Sequence, residues 1–309
     1  MISGALILSR FSSIKELYLK RIPRMGIVLI FFSFLYYVRW MYHFDGVFSI
    51  KEFLLTLYES GWNGPFWFLY AYLAFLISVP FLSVLAKNLD GKLCLYLIII
   101  ATFFQGILPV CEFVVFKGQH HVNEHFNVNW LLDVIILYPL LGYYFEEKFD
   151  NDCVNLTQKY KSISSFKGVL IGYLAVFFFT FVSCVMTVME MRIYPEASQI
   201  PQTFVDCFVL IHGIVLFITM KRIGMRFQDK MAPSINRVIY LVGEATFGVY
   251  LLHMICLESG IEQRIWEFYC NHISHFYIIF SLLNCGCVFV ICCVITMILK
   301  LIPGMKKLL

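Results

Sequence analysis

The sequence predicts an all-α fold: a polytopic transmembrane helical bundle of about eight full spans, preceded by an N-terminal partial helix. Three observations predict it. Hydrophobic residues make up 60% of the 309 and charged ones only 14%, where a soluble domain carries about 25%. The apolar residues gather into runs of about twenty, the length that crosses a bilayer core as a helix. The charges gather between the runs, and their net sign alternates along the chain. Within lipid only helices and closed barrels satisfy their own backbone, and a barrel would need the short alternating strands that this pattern lacks.

Residues 1–8 (MISGALIL) are apolar but too short to span. They have no basic n-region and no cleavage site, so they do not read as a signal peptide. They read as the last turns of a helix that begins outside the sequence. Residues 9–24 are polar and basic, with Arg10, Lys15, Lys20, Arg21 and Arg24 set against Glu16. Eight spans follow, at 25–43, 66–86, 92–111, 128–145, 166–189, 203–220, 236–257 and 276–302. The second opens as WFLYAYLAFLISVP at 67–80, just after the polar turn GWNGP at 61–65. Trp and Tyr at the start of such a helix suit the membrane–water interface. Pro80, Pro109 and Pro139 fall inside or near span ends, where neighbouring helices tolerate a kink.

The connecting segments test the span count. In order they carry net charges of −2, +1, −1, 0, −1, +4 and −2, and the tail carries +3. Positive segments stay in the cytoplasm, so both termini are expected there, as an even number of spans requires. No connection is long enough to separate two domains, so residues 1–309 read as a single membrane-embedded domain. Most of the eleven cysteines lie within apolar runs and read as packing residues. Cys111 and Cys270 lie near expected outer ends and could pair, which spacing alone does not decide.

His253, late in span seven, is a functional candidate because an ionisable group in a membrane helix is expensive. The alternative is a histidine hydrogen-bonded near the outer interface. Glu244, nine residues earlier, lies about 13 Å away along the helix axis, too far to form a dyad with it. Lys20, Arg21 and Arg24 either set topology or clamp phosphates, since guanidinium groups grip phosphate through paired hydrogen bonds. Lys221, Arg222 and Arg226 carry the same two readings. Asp133 and Asp206 read as interfacial or cavity residues, and His212 as a core or cavity residue. His121, Glu124 and His125 match an H-x-x-E-H zinc pattern, but neither the helix nor the third ligand that it needs is evident, so no metal is expected. No nucleotide-binding loop, nucleophile elbow or nucleic-acid motif is present; the basic charge belongs to membrane topology, and nucleic acid is not an expected partner.

Several segments together resemble the acyltransferase-3 family of integral-membrane acyltransferases. MISG at 1–4 is similar to its FFxISG segment, and KELYLKRIPR at 15–24 to its xxFYxKRxxRI segment. GPFWFLY at 64–70 resembles GHLWFLY, YPLLGYY at 138–144 resembles YFLLGYY, and TFGVYLLH at 246–253 resembles SFGIYLIH. The matches keep their order and cover nearly the whole chain. Two departures stand out: Pro65-Phe66 replaces the usual His-Leu, and the family's first helix, with its catalytic Arg and His, is not in this sequence.

The resemblance implies transfer of an acyl group, acetyl by default, from an acyl-CoA co-substrate to a hydroxyl of a cell-surface or lipid-linked glycan. The protein would sit in the plasma or inner membrane among membrane lipids. It further implies that Lys20, Arg21 and Arg24 meet the donor's phosphates. His253 would be the catalytic or supporting histidine, and Trp67 and Tyr70 would shape the substrate cavity or anchor the interface. Two other readings stay open: a glycan transporter with His212 and Glu244 along its path, and a family member without catalysis.

Overall fold

The computed structural model describes residues 1–11, 13–44, 46–59, 61–116, 122–123, 126, 128–150, 166–193, 203–227, 231–272 and 277–309. The helices are α1 (Ile2–Ile7), α2 (Ile14–His43), α3 (Ile50–Glu59), α4 (Gly64–Asn88), α5 (91–116), α6 (Asn129–Leu132) and α7 (Leu137–Glu147). They continue with α8 (Phe166–Ile193), α9 (Thr203–Phe227), α10 (Pro233–Leu257), α11 (Ile261–His272), α12 (Tyr277–Leu299) and α13 (Pro303–Leu308). No strand occurs among the described residues. Six segments are long and apolar enough to cross a membrane: Ile14–His43, Gly64–Asn88, Gly91–Glu112, Lys167–Met189, Pro233–Leu257 and Ile279–Leu299. At 25 residues α9 has the length as well.

The stretch expected to span at 128–145 is broken into α6 and α7. Asp133 breaks it: its carboxylate accepts from the Ile135 amide at 2.8 Å, an Asx turn that competes with the helix. The Leu132 carbonyl accepts from Gln105 Nε2 at 2.8 Å. Irregular backbone at membrane depth survives where protein encloses it, and here Leu132 and Leu137 are fully buried.

Two helices widen into π turns, at 17–21 in α2 and at 102–107 in α5. Each ends two residues before a proline, Pro23 and Pro109. A proline ring crowds the carbonyl four residues back and offers no amide. A wider turn ahead of it relieves that conflict, and such turns recur at functional sites.

The chain forms two compact units, each drawn from separate stretches of sequence. One comprises 1–13 and 77–230. There α1 packs on α7 so closely that a Cβ on Gly4 would overlap the Pro139 carbonyl, and one on Gly142 the Met1 carbonyl. Lys148 Nζ donates to the carbonyls of Lys87 and Leu89, which lie at the end of α4. Lys221 Nζ does the same for Phe145 and Glu146 at the end of α7, and pairs with Asp150 at 3.1 Å. These lysines satisfy carbonyls that a helix end leaves free.

The other unit comprises 14–76 and 231–309. Apolar burial drives little association in lipid, so close packing and hydrogen bonds carry it. Tyrosine hydroxyls provide several of those bonds. Tyr36 donates to the Leu251 carbonyl at 3.1 Å, Tyr250 to the Pro65 carbonyl, and Tyr70 to the Leu57 carbonyl at 2.5 Å. Gly248 lets α10 meet α12, since a Cβ there would overlap the Thr296 side chain. Tyr37 is fully buried, with ring centroids 4.6 Å from Trp62 and 5.4 Å from Phe53.

Candidate functional site

All six candidates from the sequence, His253, Lys20, Arg21, Arg24, Trp67 and Tyr70, fall in the second unit. They divide between its ends. His253 is half-buried on α10, with its Nδ1 2.7 Å from the Tyr250 carbonyl oxygen. A carbonyl only accepts, so Nδ1 carries the proton, and in the neutral ring Nε2 keeps its lone pair. That is the tautomer a general base requires.

The wall around His253 is tied to the turn before α4. The Tyr250 hydroxyl holds the Pro65 carbonyl, and its ring lies edge-on to Phe68 at 5.7 Å. Phe66, fully buried, packs edge-on against Tyr36 at 5.2 Å. Two residues before Pro65, Asn63 is 6% exposed, and its Nδ2 has no hydrogen-bond partner among the described residues. A buried amide donor left unpaired is costly, so Asn63 Nδ2 calls for a partner that the described residues do not supply. Arg39 pairs with Glu258 at 2.6 Å, beyond the end of α10.

Trp67 is 59% exposed and is joined to Tyr250 through Phe68, with which it makes an edge contact at 6.1 Å. The Tyr70 hydroxyl is committed to the Leu57 carbonyl, and its ring lies over Gly61. At Gly61 a φ of 77° and the ring's approach both favour glycine. Tyr70 therefore braces the loop, and the Trp67 ring stands at the surface.

The basic candidates lie at the other end of α2. Arg24 is twelve residues from Tyr36, about 18 Å along the axis, and Tyr36 bonds the carbonyl two residues before His253. Arg21 and Arg24 both bear electrostatically on Tyr72 of α4. Lys20 and Arg24 line an open cleft of about 790 Å³, joined there by Lys307 of α13. Arg24 also donates to the Leu308 carbonyl at 3.2 Å.

The other polar candidates find local partners. Asp133 forms its Asx turn, and Lys221 caps α7. His212 Nε2 stands 3.5 Å from Thr180 Oγ1. Glu244 accepts from Tyr240 at 2.7 Å. The described cysteines, Cys111 and Cys270 among them, are free thiols. No metal-binding cluster occurs among the described residues. His120, His121, Glu124 and His125 lie outside the described residues, as does the side chain of Asp206.

Sequence reasoning passed over Tyr250, Asn63, Arg39 and Lys307. Tyr250 stands inside the very segment that carried the family resemblance, so its signal was present. Asn63 reads as an ordinary turn residue until its burial is seen.

Helices of this length and apolarity, carrying buried polar bonds, define an integral-membrane protein of the helical class. Its family follows from comparison. The acyltransferase-3 family model, described as an acyltransferase domain, matches residues 1–300, and the chain belongs to that family of membrane acyltransferases. Neither curated proteins nor solved structures gave a match.

Proposed function

We propose that this protein moves an acyl group, acetyl by default, from an acyl-CoA to a hydroxyl of a cell-surface or lipid-linked glycan. The observation that carries the reading is His253, with its Nδ1 proton fixed on the Tyr250 carbonyl and Nε2 open as a base. The basic end of α2 supports it. The donor's phosphates meet Arg21 and Arg24, with Lys20 beside them, on the cytoplasmic side that the charge pattern favours. The pantetheine arm then runs along α2 and covers the roughly 18 Å to the level of His253.

At that level Nε2 takes the proton of the sugar hydroxyl as its oxygen attacks the thioester carbon. The tetrahedral oxyanion accepts a hydrogen bond from the unpaired Asn63 amide. Collapse breaks the C–S bond, and the imidazolium returns its proton to the departing thiolate. The exposed ring of Trp67 offers the acceptor sugar an apolar face, while Tyr70 holds the loop that carries Asn63.

The test is transfer of radiolabelled acetyl from acetyl-CoA to surface glycan in membranes carrying the full gene product. His253→Ala is expected to lower kcat by about 10²–10⁴-fold, the usual weight of a general base. Arg21→Ala with Arg24→Ala is expected to raise KM for acetyl-CoA and leave kcat nearly unchanged. Undiminished transfer by His253→Ala would remove the histidine from the mechanism. No transfer by the unmodified protein to any of a panel of glycan acceptors would overturn the activity itself.

A further inference from the structure

We infer that the cleft between α2 and α13 is a binding site for a single anionic phospholipid, which holds Lys20 and Arg24 whenever the acyl donor of the preceding reading does not. Its α2 wall is a stripe of Leu19, Ile27 and Phe31, with Lys20 and Arg24 at one end. Its other wall is Met305 and Lys307. From Lys20 to Phe31 is eleven residues, about 16 Å, so the stripe runs from headgroup depth well into the hydrocarbon. Leu19 and Ile27 are 66% and 53% exposed, open to whatever lies alongside.

The chemistry of the lining selects the occupant. No side chain in it carries a hydroxyl, an amide or a carboxylate. Its side-chain donors are the three cations, and it offers no side-chain oxygen or nitrogen acceptor to the adenine amino group, the ribose hydroxyls or the amide N–H groups of an acyl-CoA, nor to the hydroxyls of a sugar. Its polar atoms are cationic and its remaining surface is aliphatic or aromatic. A ligand that matches both features has one anionic group joined to a hydrocarbon chain. Lys20 and Lys307 are exposed, and neither pairs with a described carboxylate. Arg24 spends one donor on the Leu308 carbonyl, which draws α13 across the cleft. A guanidinium has five donors, so others remain for a phosphate. The phosphate thus sits among Lys20, Arg24 and Lys307, and an acyl chain lies along Ile27 and Phe31. Positive charge near an anionic leaflet attracts such lipids in general; the apolar stripe is what makes this a site for one molecule.

The test is native mass spectrometry of the purified full chain, titrated with phosphatidylglycerol or with phosphatidylcholine of the same acyl chains. One phosphatidylglycerol is expected to be retained in preference to phosphatidylcholine. Lys307→Ala is expected to weaken that retention about fivefold, the weight of one basic residue near an anionic surface. Lys307→Arg is expected to restore it, with unchanged melting of both variants showing that the fold is intact. Soluble glycerophosphate, lacking the chain, is expected not to displace the lipid. Equal retention of the two lipids, or no effect of Lys307→Ala, would overturn the site. Displacement by glycerophosphate would make it a free-phosphate site instead. A raised KM for acetyl-CoA in Lys307→Ala, with no preference for phosphatidylglycerol over phosphatidylcholine, would give the cleft to the acyl donor alone.

Discussion

Tyr250 and His253 stand one helical turn apart on α10, and each fixes the other's surroundings. The Tyr250 carbonyl sets the His253 tautomer, while its hydroxyl grips Pro65 and so holds the turn in which Asn63 is buried. Tyr250→Phe removes only the hydroxyl. Its expected cost is about 0.6–1.7 kcal/mol, the range for hydrogen bonds between membrane helices, read as a lowered melting temperature in detergent. With the turn loosened, kcat should fall, while KM for acetyl-CoA should hold because the proposed phosphate site lies about 18 Å away. A lowered melting temperature with unchanged kcat would leave Tyr250 a purely structural role. His253 was legible in the sequence because an imidazole in an apolar run is conspicuous. Its tautomer was not, since that depends on where the ring turns.

At the scale of elements, glycines and prolines set the geometry. Gly248 brings α10 against α12 at Thr296. Gly248→Ala is expected to destabilise the protein by about 1–3 kcal/mol through overpacking. Adding Thr296→Ala, which removes the atoms in the way, should recover much of that loss. A thermal double-mutant cycle measures the coupling, and additive effects would mean that the two helices do not meet there. The break at Asp133 shows where sequence reading stops. Hydropathy ran on through 128–145, because the averaging that reveals spans is blind to one carboxylate folding onto the backbone. The stabilising partner, Gln105, lies 27 residues from Leu132, whose carbonyl it bonds. The basic cleft was hidden for the same reason: Arg24 and Leu308 are 284 residues apart.

At the largest scale described, charge is sorted by end within one compact unit. In the second unit, Lys20, Arg21, Arg24 and Lys307 stand at one end of α2, and the Arg39–Glu258 pair stands about 22 Å from Arg24 along that helix. A bilayer core is only somewhat thicker, so α2 runs from one interface towards the other. On the positive-inside rule the Lys20 end is expected in the cytoplasm. A green fluorescent protein fused after Leu309 is expected to fluoresce, and alkaline phosphatase inserted at the exposed Val47 is expected to be active. The opposite pattern in both reporters would invert the orientation and move the acyl donor's entry to the other face. The all-helical character was legible throughout, because it follows from composition and run length, which no tertiary contact alters.

The π turn at 17–21 holds one more residue than an α-helix would fit in the same rise. It is an insertion that the helix has absorbed. Loss of a single codon there would let the helix close to α pitch and leave the span intact. The segment ahead of it would keep its facing relative to the rest, because the wider turn holds the extra residue without passing it on as rotation. Lys20 and Arg21 now look to different neighbours, the cleft and Tyr72. A descendant that lost one of residues 17–19 would keep each cation on the face it serves now, whereas the same loss in the α-helical part beyond the turn would rotate one flank against the other by about 100°.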